Sequence, residues 1–310
     1  MALDTNVRAS YHASGIWARE DLLDFITQIS PEDTPVLSML QRVPASFTKH
    51  EWDEETLAAA TTLGALEGDG FSGEIAATPA RRFNFTQITR KDYAISGTMD
   101  AIDTVGGQWT GHSAAKALKE IALLAEIALV TGNMVNSVGA DATRRQMGGL
   151  WYWLSSAATF TSTSTFVGAT FDEAGVVELI KRIWSNGPFR ANTIITSAAG
   201  KSTISGFTTT LRVHHSNGPS DPRMLIRNVQ VYESDFGVCE VYASRYVGVG
   251  GASTTPFGHA LDRNYFRTAW LRPPQIVRLG QVGDSTRLMA VAELTLEALS
   301  SRAGGSWITT

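Results

Sequence analysis

The chain has 310 residues, of which 43% are hydrophobic and only 18% charged, and its formal net charge is −4. That is enough apolar material for one large core or two smaller ones, and so little charge suits a surface largely covered by neighbours. The single cysteine, Cys239, excludes an intrachain disulfide framework and a cysteine-based zinc site, and the lack of any apolar run of about eighteen residues excludes a transmembrane helix.

The start, Met1-Ala2-Leu3-Asp4, lacks the charged and apolar regions of a secretory leader, so folding in the cytoplasm is expected. The charge is unevenly placed. Residues 1–80 hold four basic residues, Arg8, Arg19, Arg42 and Lys49, against 13 acidic ones. Residues 81–310 hold 22 basic against 17 acidic. No basic residue falls between Glu51 and Ala80. Such asymmetry marks an interaction surface when the acidic part cannot fold alone.

Residues 1–45 read as an extended arm with small helical pieces. Leu22, Phe25, Ile26 and Ile29 fall at helical spacing. After the break at Ser30-Pro31, Val36, Leu37, Met39 and Leu40 make a short helical turn that ends before Pro44. Residues 50–98 follow. Two strand-like arms, starting at His50-Glu51-Trp52 and returning through Asn84-Phe85-Thr86-Gln87-Ile88, flank an acidic glycine-rich tip at Glu67-Gly68-Asp69-Gly70. A two-stranded hairpin is marginal in water by itself. It must lie on something else, and a hairpin of this length predicts a protein that binds copies of itself.

Asp100 and Asp103 read as a polar turn ahead of a long helix, where its dipole favours negative charge. That helix spans 111–133, with Leu118, Ile121, Ala125 and Leu129 on one face and a Lys116–Glu120 pair on the other. A Ser/Thr-rich loop occupies 155–165. A second helix starts from a capping box, Thr170 with Glu173, and ends at Asn186-Gly187-Pro188. A buried strand at 192–197 and a helix at 198–207 come next. Two strands, 229–232 and 238–242, flank the turn Asp235-Phe236-Gly237, and 248–255 is a flexible loop. Residues 265–271 form a strand stopped by Pro273-Pro274, and 287–299 a long apolar one. Helices and strands in this order predict an α+β fold.

Catalytic signals are weak. Gly200-Lys201-Ser202 resembles the end of a phosphate-binding loop, but the glycine that loop needs is replaced by Ile195. His214 and His215 are adjacent, so on a strand they face opposite sides and cannot share an ion. His12, His50, His112 and His259 are scattered, and no Gly-x-Ser-x-Gly elbow occurs. The basic doublets Arg81-Arg82, Arg90-Lys91, Arg144-Arg145 and Lys181-Arg182 are separated and carry no interleaved aromatics, which argues against a dedicated DNA reader. No cofactor, metal or catalytic residue is expected, and an oligomeric α+β enzyme ranks last among the functional readings.

The order of parts resembles the major capsid proteins of tailed bacteriophages, which share the Hong Kong 97 phage fold. The marks are Thr34-Pro35-Val36-Leu37-Ser38-Met39-Leu40, His50-Glu51-Trp52, Leu57-Ala58-Ala59-Ala60, Glu67-Gly68, Asn84-Phe85-Thr86-Gln87-Ile88 and Ser96-Gly97-Thr98. Later come Val231-Tyr232-Glu233-Ser234-Asp235-Phe236-Gly237, Leu271-Arg272-Pro273-Pro274, and Gly283-Asp284 leading to Glu293-Leu294-Thr295-Leu296. Their joint order over residues 30–300 carries the resemblance.

The resemblance implies an N-terminal arm (1–45), an extended loop (46–90), a peripheral domain with a long spine helix (91–145 and 262–310) and an axial domain (146–261). It implies self-assembly into hexamers and pentamers of an icosahedral head enclosing double-stranded DNA by weak, non-specific contact. Scaffolding, portal and decoration proteins are further implied partners; with so short an arm, any scaffold is expected to be a separate protein or to have been removed upstream of Met1. The extended loop would cross a neighbouring subunit, with Trp52, Glu54, Glu67, Asp69 and Glu74 meeting Arg81, Arg82, Arg263, Arg267, Arg272 and Arg278. Residues 50–90 contain no lysine, so the covalent weld of some relatives is not carried over. The second reading is an encapsulin-like compartment shell of the same fold, enclosing protein cargo.

Overall fold

The fold was obtained as a computed structural model that describes residues 33–57, 67–68, 70, 78–102, 109–135, 143–155, 166–168, 171–207, 230–248, 256–280 and 283–309. The predicted helical piece at 17–29 and most of the loops at 155–165 and 248–255 lie outside these. In chain order the elements are α1 (Pro35–Met39), β1 (Gln41–Pro44), β2 (Lys49–Glu54), β3 (Ala80–Phe85), β4 (Gln87–Ser96), α2 (Gly97–Ala101), α3 (Trp109–Thr131) and α4 (Leu150–Leu154). Then come β5 (Phe166–Gly168), α5 (Glu173–Ser185), β6 (Thr193–Thr196), α6 (Ala198–Phe207), β7 (Val231–Ser234), β8 (Gly237–Ala243), β9 (Pro256–Leu261), β10 (Phe266–Arg278), β11 (Ser285–Ala298) and β12 (Gly304–Thr309).

Three sheets organise the chain. One has four strands in the order β1-β10-β11-β4; a second has six, β5-β12-β9-β6-β8-β7; the third is the hairpin β2-β3. β11 is the spine of the first sheet, antiparallel to both β10 and β4. Its C-terminal half is buried on both faces, although Glu293, Thr295 and Glu297 alternate there with Ala292, Leu294, Leu296 and Ala298. β12, close to the end of the chain, pairs with β9 and β5 in the six-stranded sheet. One continuous core links the two larger sheets, with Trp153, Trp307, Phe266 and Leu129 fully enclosed. At Gly175 the helix α5 has room only for hydrogen, because an added Cβ would sit 1.4 Å from the Trp307 ring.

Several expectations are corrected. Pro273-Pro274 does not stop its strand: β10 runs to Arg278, with one register shift between Trp270 and Arg272 and a second, between Arg272 and Gln275, that spans the prolines. The reason is position. The neighbour β1 ends at Pro44 opposite Trp270, so among the described residues no strand pairs with β10 on that side beyond this point, and the shifted register opposite β11 accommodates the N–H missing on the other side. The cap of α5 is Asp172, whose side chain accepts from the Gly175 N–H at 3.0 Å, rather than Thr170. On α3, Ile121, Ala125 and Leu129 are buried as expected, but Leu118 is 36% exposed, because Ala117 takes the inner position beside the sheet. Glu120 pairs not with Lys116 but with Lys91 of β4, at 3.0 Å.

The largest surprise on α3 is Glu126, a carboxylate with no solvent exposure. Its two oxygens accept from the Val36 N–H at 3.0 Å and the Leu37 N–H at 2.7 Å. These are the orphan donors at the start of α1, whose Thr34 makes no side-chain cap and whose Pro35 has no N–H to offer. The spine helix thus supplies the cap that the short helix lacks. Burial pushes the Glu126 carboxyl above its ordinary value of 4.5, outweighing the two amide bonds that pull it down.

Glu126→Ala would leave both N–H groups buried without an acceptor, and a loss of about 2–3 kcal/mol in denaturant unfolding is expected. The pH dependence follows from linkage. A folded pKa above the unfolded one gives stability that is full below the unfolded value and is lost as pH rises through the folded value. Glu126→Gln cannot titrate, so the stability of the wild type relative to that variant should fall as pH rises from about 4.5 towards neutrality.

Candidate assembly surface

The hairpin β2-β3 leaves the body where the two larger sheets meet, and polar side chains fix it there. Asn84 is fully buried and uses every hydrogen-bonding position it has. Its amide nitrogen donates to Gly148 O at 2.9 Å and Leu296 O at 2.7 Å. Its oxygen accepts from the N–H groups of Gly148 and Phe85, both at 2.9 Å. One side chain therefore joins β3, β11 and the segment leading into α4. An Asn is suited to this because a peptide-like group can satisfy peptide groups from two strands at once.

A second joint surrounds Glu293 on β11. It accepts from Arg145 Nη2 at 2.6 Å, Thr86 Oγ1 at 2.7 Å and Arg272 Nε at 2.9 Å. Arg145 also donates to Thr86 O at 2.6 Å. Thr86 is the residue between β3 and β4, so this cluster fixes the bend where the hairpin returns to the sheet. Two guanidinium groups compensate one buried carboxylate, and this is the arrangement that makes such burial tolerable.

The other arm is held by packing and charge. Trp52 is 8% exposed, its ring 5.5 Å from that of Trp153. His50 Nε2 lies 3.2 Å from Glu297 Oε2. Glu54 accepts from Ser300 Oγ at 2.6 Å and Arg82 Nε at 3.0 Å. Arg81 meets Asp53 at 3.2 Å on the outer side, and the Lys49 ammonium beside Glu51 holds that carboxyl below its usual range. Among the described residues just beyond Glu54, Glu55 is exposed and Leu57 is 98% exposed.

These positions sort the residues expected at subunit contacts. Trp52, Glu54, Arg82 and Arg272 are engaged within the subunit, at the hairpin base. Arg81 sits on the hairpin's outer side. Arg263 pairs with Glu240 at 3.1 Å beside the six-stranded sheet. Arg267 lies opposite Glu297 in the β10–β11 register, its Nε buried without a hydrogen-bond partner. Glu67 is exposed at a turn whose Gly68 has φ +84°, and Arg278 is exposed at the end of β10. Asp69 and Glu74 lie outside the described residues. Asn84, Arg145, Glu293 and Glu126 were not expected. Asn84 stood in a quoted motif without a role, and a lone acid in the Ala/Leu-rich second half of α3 was the available signal for Glu126.

The described residues offer little chemistry. Among them no group of three or more His, Cys, Asp or Glu residues could hold a metal ion. The Cys239 thiol is buried, donates to Ala191 O at 3.1 Å and is pushed up to about 12 by desolvation. His259 and Ser306 are 2.8 Å apart but sealed in the core, where burial lowers the imidazole to about 4. Lys201 lies within α6, not in a loop, and donates to Val241 O at 2.7 Å. His214 and His215 lie outside the described residues. No helix among the described residues is long and apolar enough to cross a membrane.

The model of the SU10 major capsid protein family matches residues 4–309. The chain belongs to that family. Members are phage major capsid proteins, and this one accordingly forms an icosahedral head shell as part of the virion. No curated protein matches it in sequence. Solved structures share the Hong Kong 97-type fold. A chain from Mycobacterium phage Bobi aligns with TM-score 0.63 and 14% identity, over 97% of this chain and 98% of that one. The capsid of a native GTA particle gives 0.68 and 11%, over 98% and 99%. The SrpI encapsulin of Synechococcus elongatus gives 0.57 and 8%, over 94% and 91%. The family match decides for the phage head over the compartment shell.

Within this capsid protein, Asn84→Leu would strand Gly148 and Leu296 backbone groups in the core. A loss of about 3–5 kcal/mol is expected, read as a lower thermal midpoint and faster proteolysis within residues 55–79. An unchanged midpoint would show that Asn84 does not join the sheets.

Proposed function

We propose that the shell is held together by laying the hairpin of each subunit across its neighbour, with no catalytic step. The observation that carries this is the contrast along the hairpin. Its base is fixed by buried polar joints, while Glu55 and Leu57, the latter 98% exposed, leave that base without cover. A surface of matching character lies on the four-stranded sheet. Ile88 is 50% exposed and stands in one cross-strand row with Glu293 and Arg272. Arg90, two residues along the same face, is 60% exposed. Phe47, 68% exposed, precedes the hairpin. We assign the acidic, partly apolar tip of one subunit, including Glu67, Asp69 and Glu74, to this face of the next, which carries Ile88 and the Arg90–Asp92 pair; Arg278, in register with Leu288, lies on the other face of the sheet.

In this reading the four-stranded sheet and α3 form the peripheral domain, and the six-stranded sheet, including β12, forms the axial domain around the centres of hexamers and pentamers. The enclosed cargo is double-stranded DNA held by weak contacts. Scaffolding, portal and decoration proteins complete the head, and assembly takes place in the bacterial cytoplasm.

Purified recombinant protein should give shells, tubes or rings of five and six by negative-stain electron microscopy. Deletion of residues 60–78 should leave the thermal midpoint within a few degrees and abolish those assemblies. A deletion variant that assembles like the intact chain would sink the proposal. Because exposed charge pairs are screened, rings should dissociate more readily at about 1 M salt than at about 0.05 M.

A further inference from the structure

The six-stranded sheet carries an open cleft at one end, between the last turn of α5 and the β7–β8 turn. Its volume is about 310 Å³, and Trp184, Arg190, Glu233, Asp235, Phe236 and Val238 line it. Trp184 is 51% and Val238 53% exposed, and the rings of Trp184 and Phe236 stand 5.7 Å apart. An exposed indole beside other apolar side chains is the composition of a contact centre. Among the described residues Glu233 and Asp235 make no ion pair, with Arg190 or with any other group. The cleft is therefore aromatic-walled and net negative, and that chemistry receives a guanidinium.

The same end of the sheet presents a cation on its far side. Strand register sets a row in which Gly304 of β12 is level with Leu261, Thr193, Glu240 and Val231 in turn. Arg302 lies just beyond that row on the β12 side. Glu233 and Val238 lie just beyond it, in the same direction, on the β7 side. Four strand spacings separate the two sides by about 19 Å. Arg302 is exposed and makes no ion pair among the described residues, while Arg263, between the two sides, is taken by Glu240 at 3.1 Å.

We propose that this end of the sheet is a head-to-tail contact between copies of the chain. Arg302 of one subunit enters the Trp184–Phe236 cleft of the next and meets Glu233 and Asp235. A second copy is the occupant because a shell subunit is surrounded by copies of itself, and because one chain supplies both halves of the charge match. The halves are too far apart to pair within a subunit. Lying at different places on the surface, they make a heterologous contact that repeats around a rotation axis. The proposal rests on the axial position given above to the six-stranded sheet and is independent of the hairpin.

Paired cysteines test it in the full-length chain, where Cys239 is buried. In shells, Asp235→Cys with Arg302→Cys should oxidise to a ladder of linked chains ending at five and six, with the 235–302 link located by peptide mapping. Asp235→Cys with Arg278→Cys places the second thiol at the end of β10 in the other sheet and should link about tenfold more slowly. Equal rates, or links within one chain, would overturn the contact. The unaltered protein gives a second reading: hydroxyl radicals should oxidise Trp184 about fivefold more slowly in shells than in dissociated subunits. Equal oxidation would overturn the contact even if the double variant fails to assemble. Shells in which Trp184 stays open remove this contact alone, whereas absence of shells from the unaltered chain removes the reading beneath it as well.

Discussion

The structure depends on a buried amide. A two-stranded ribbon has no core, and Asn84 gives this one a fixed origin by satisfying four backbone groups at once. In a dry environment each of those bonds is costly to leave unmade, so the ribbon leaves the body in one direction only. Glu293 with Arg145, Arg272 and Thr86 repeats the principle two residues further along, with charge in place of the amide. Packing of Trp52 on Trp153 supplies the apolar part of the same junction.

The spine helix works by the same logic at the other end of the chain's first sheet. Glu126 acts as a cap for a helix too short to cap itself. A five-residue helix has almost no intrinsic stability, so its position is decided by what receives its amides. The entry of the chain into the fold is thereby fixed to α3, and β1 follows it directly into pairing with β10.

Much of this was legible in the sequence where local rules dominate. Helix α6, the turn before Gly237 and the long α3 follow from periodicity and turn residues, and the hairpin from its alternating arms. The misreadings share one cause. Pro273-Pro274 ends a strand by local rules, and only the end of β1 on the neighbouring position makes it harmless. Lys116–Glu120 is a sound pair on an isolated helix, yet Lys91 on a strand takes the glutamate. Leu118 has the right spacing for the buried face, but the smaller Ala117 fits the sheet. The roles of Asn84, Glu293 and Glu126 were not legible because their partners lie 60 or more residues away, although a lone acid in the apolar half of α3 marked Glu126 as unusual.

The prolines of β10 have a consequence for a protein that must exist in many copies before it assembles. An open strand edge is a template on which another chain can add without limit, and such growth leads to fibres instead of closed objects. Successive N–H groups of a strand point to opposite sides, so Pro273 and Pro274 remove one donor from that edge and one from the side facing β11, where the register shifts. Pairing of a second chain along this edge is therefore interrupted at the prolines. Self-association is channelled to side-chain surfaces whose angles can close into a shell.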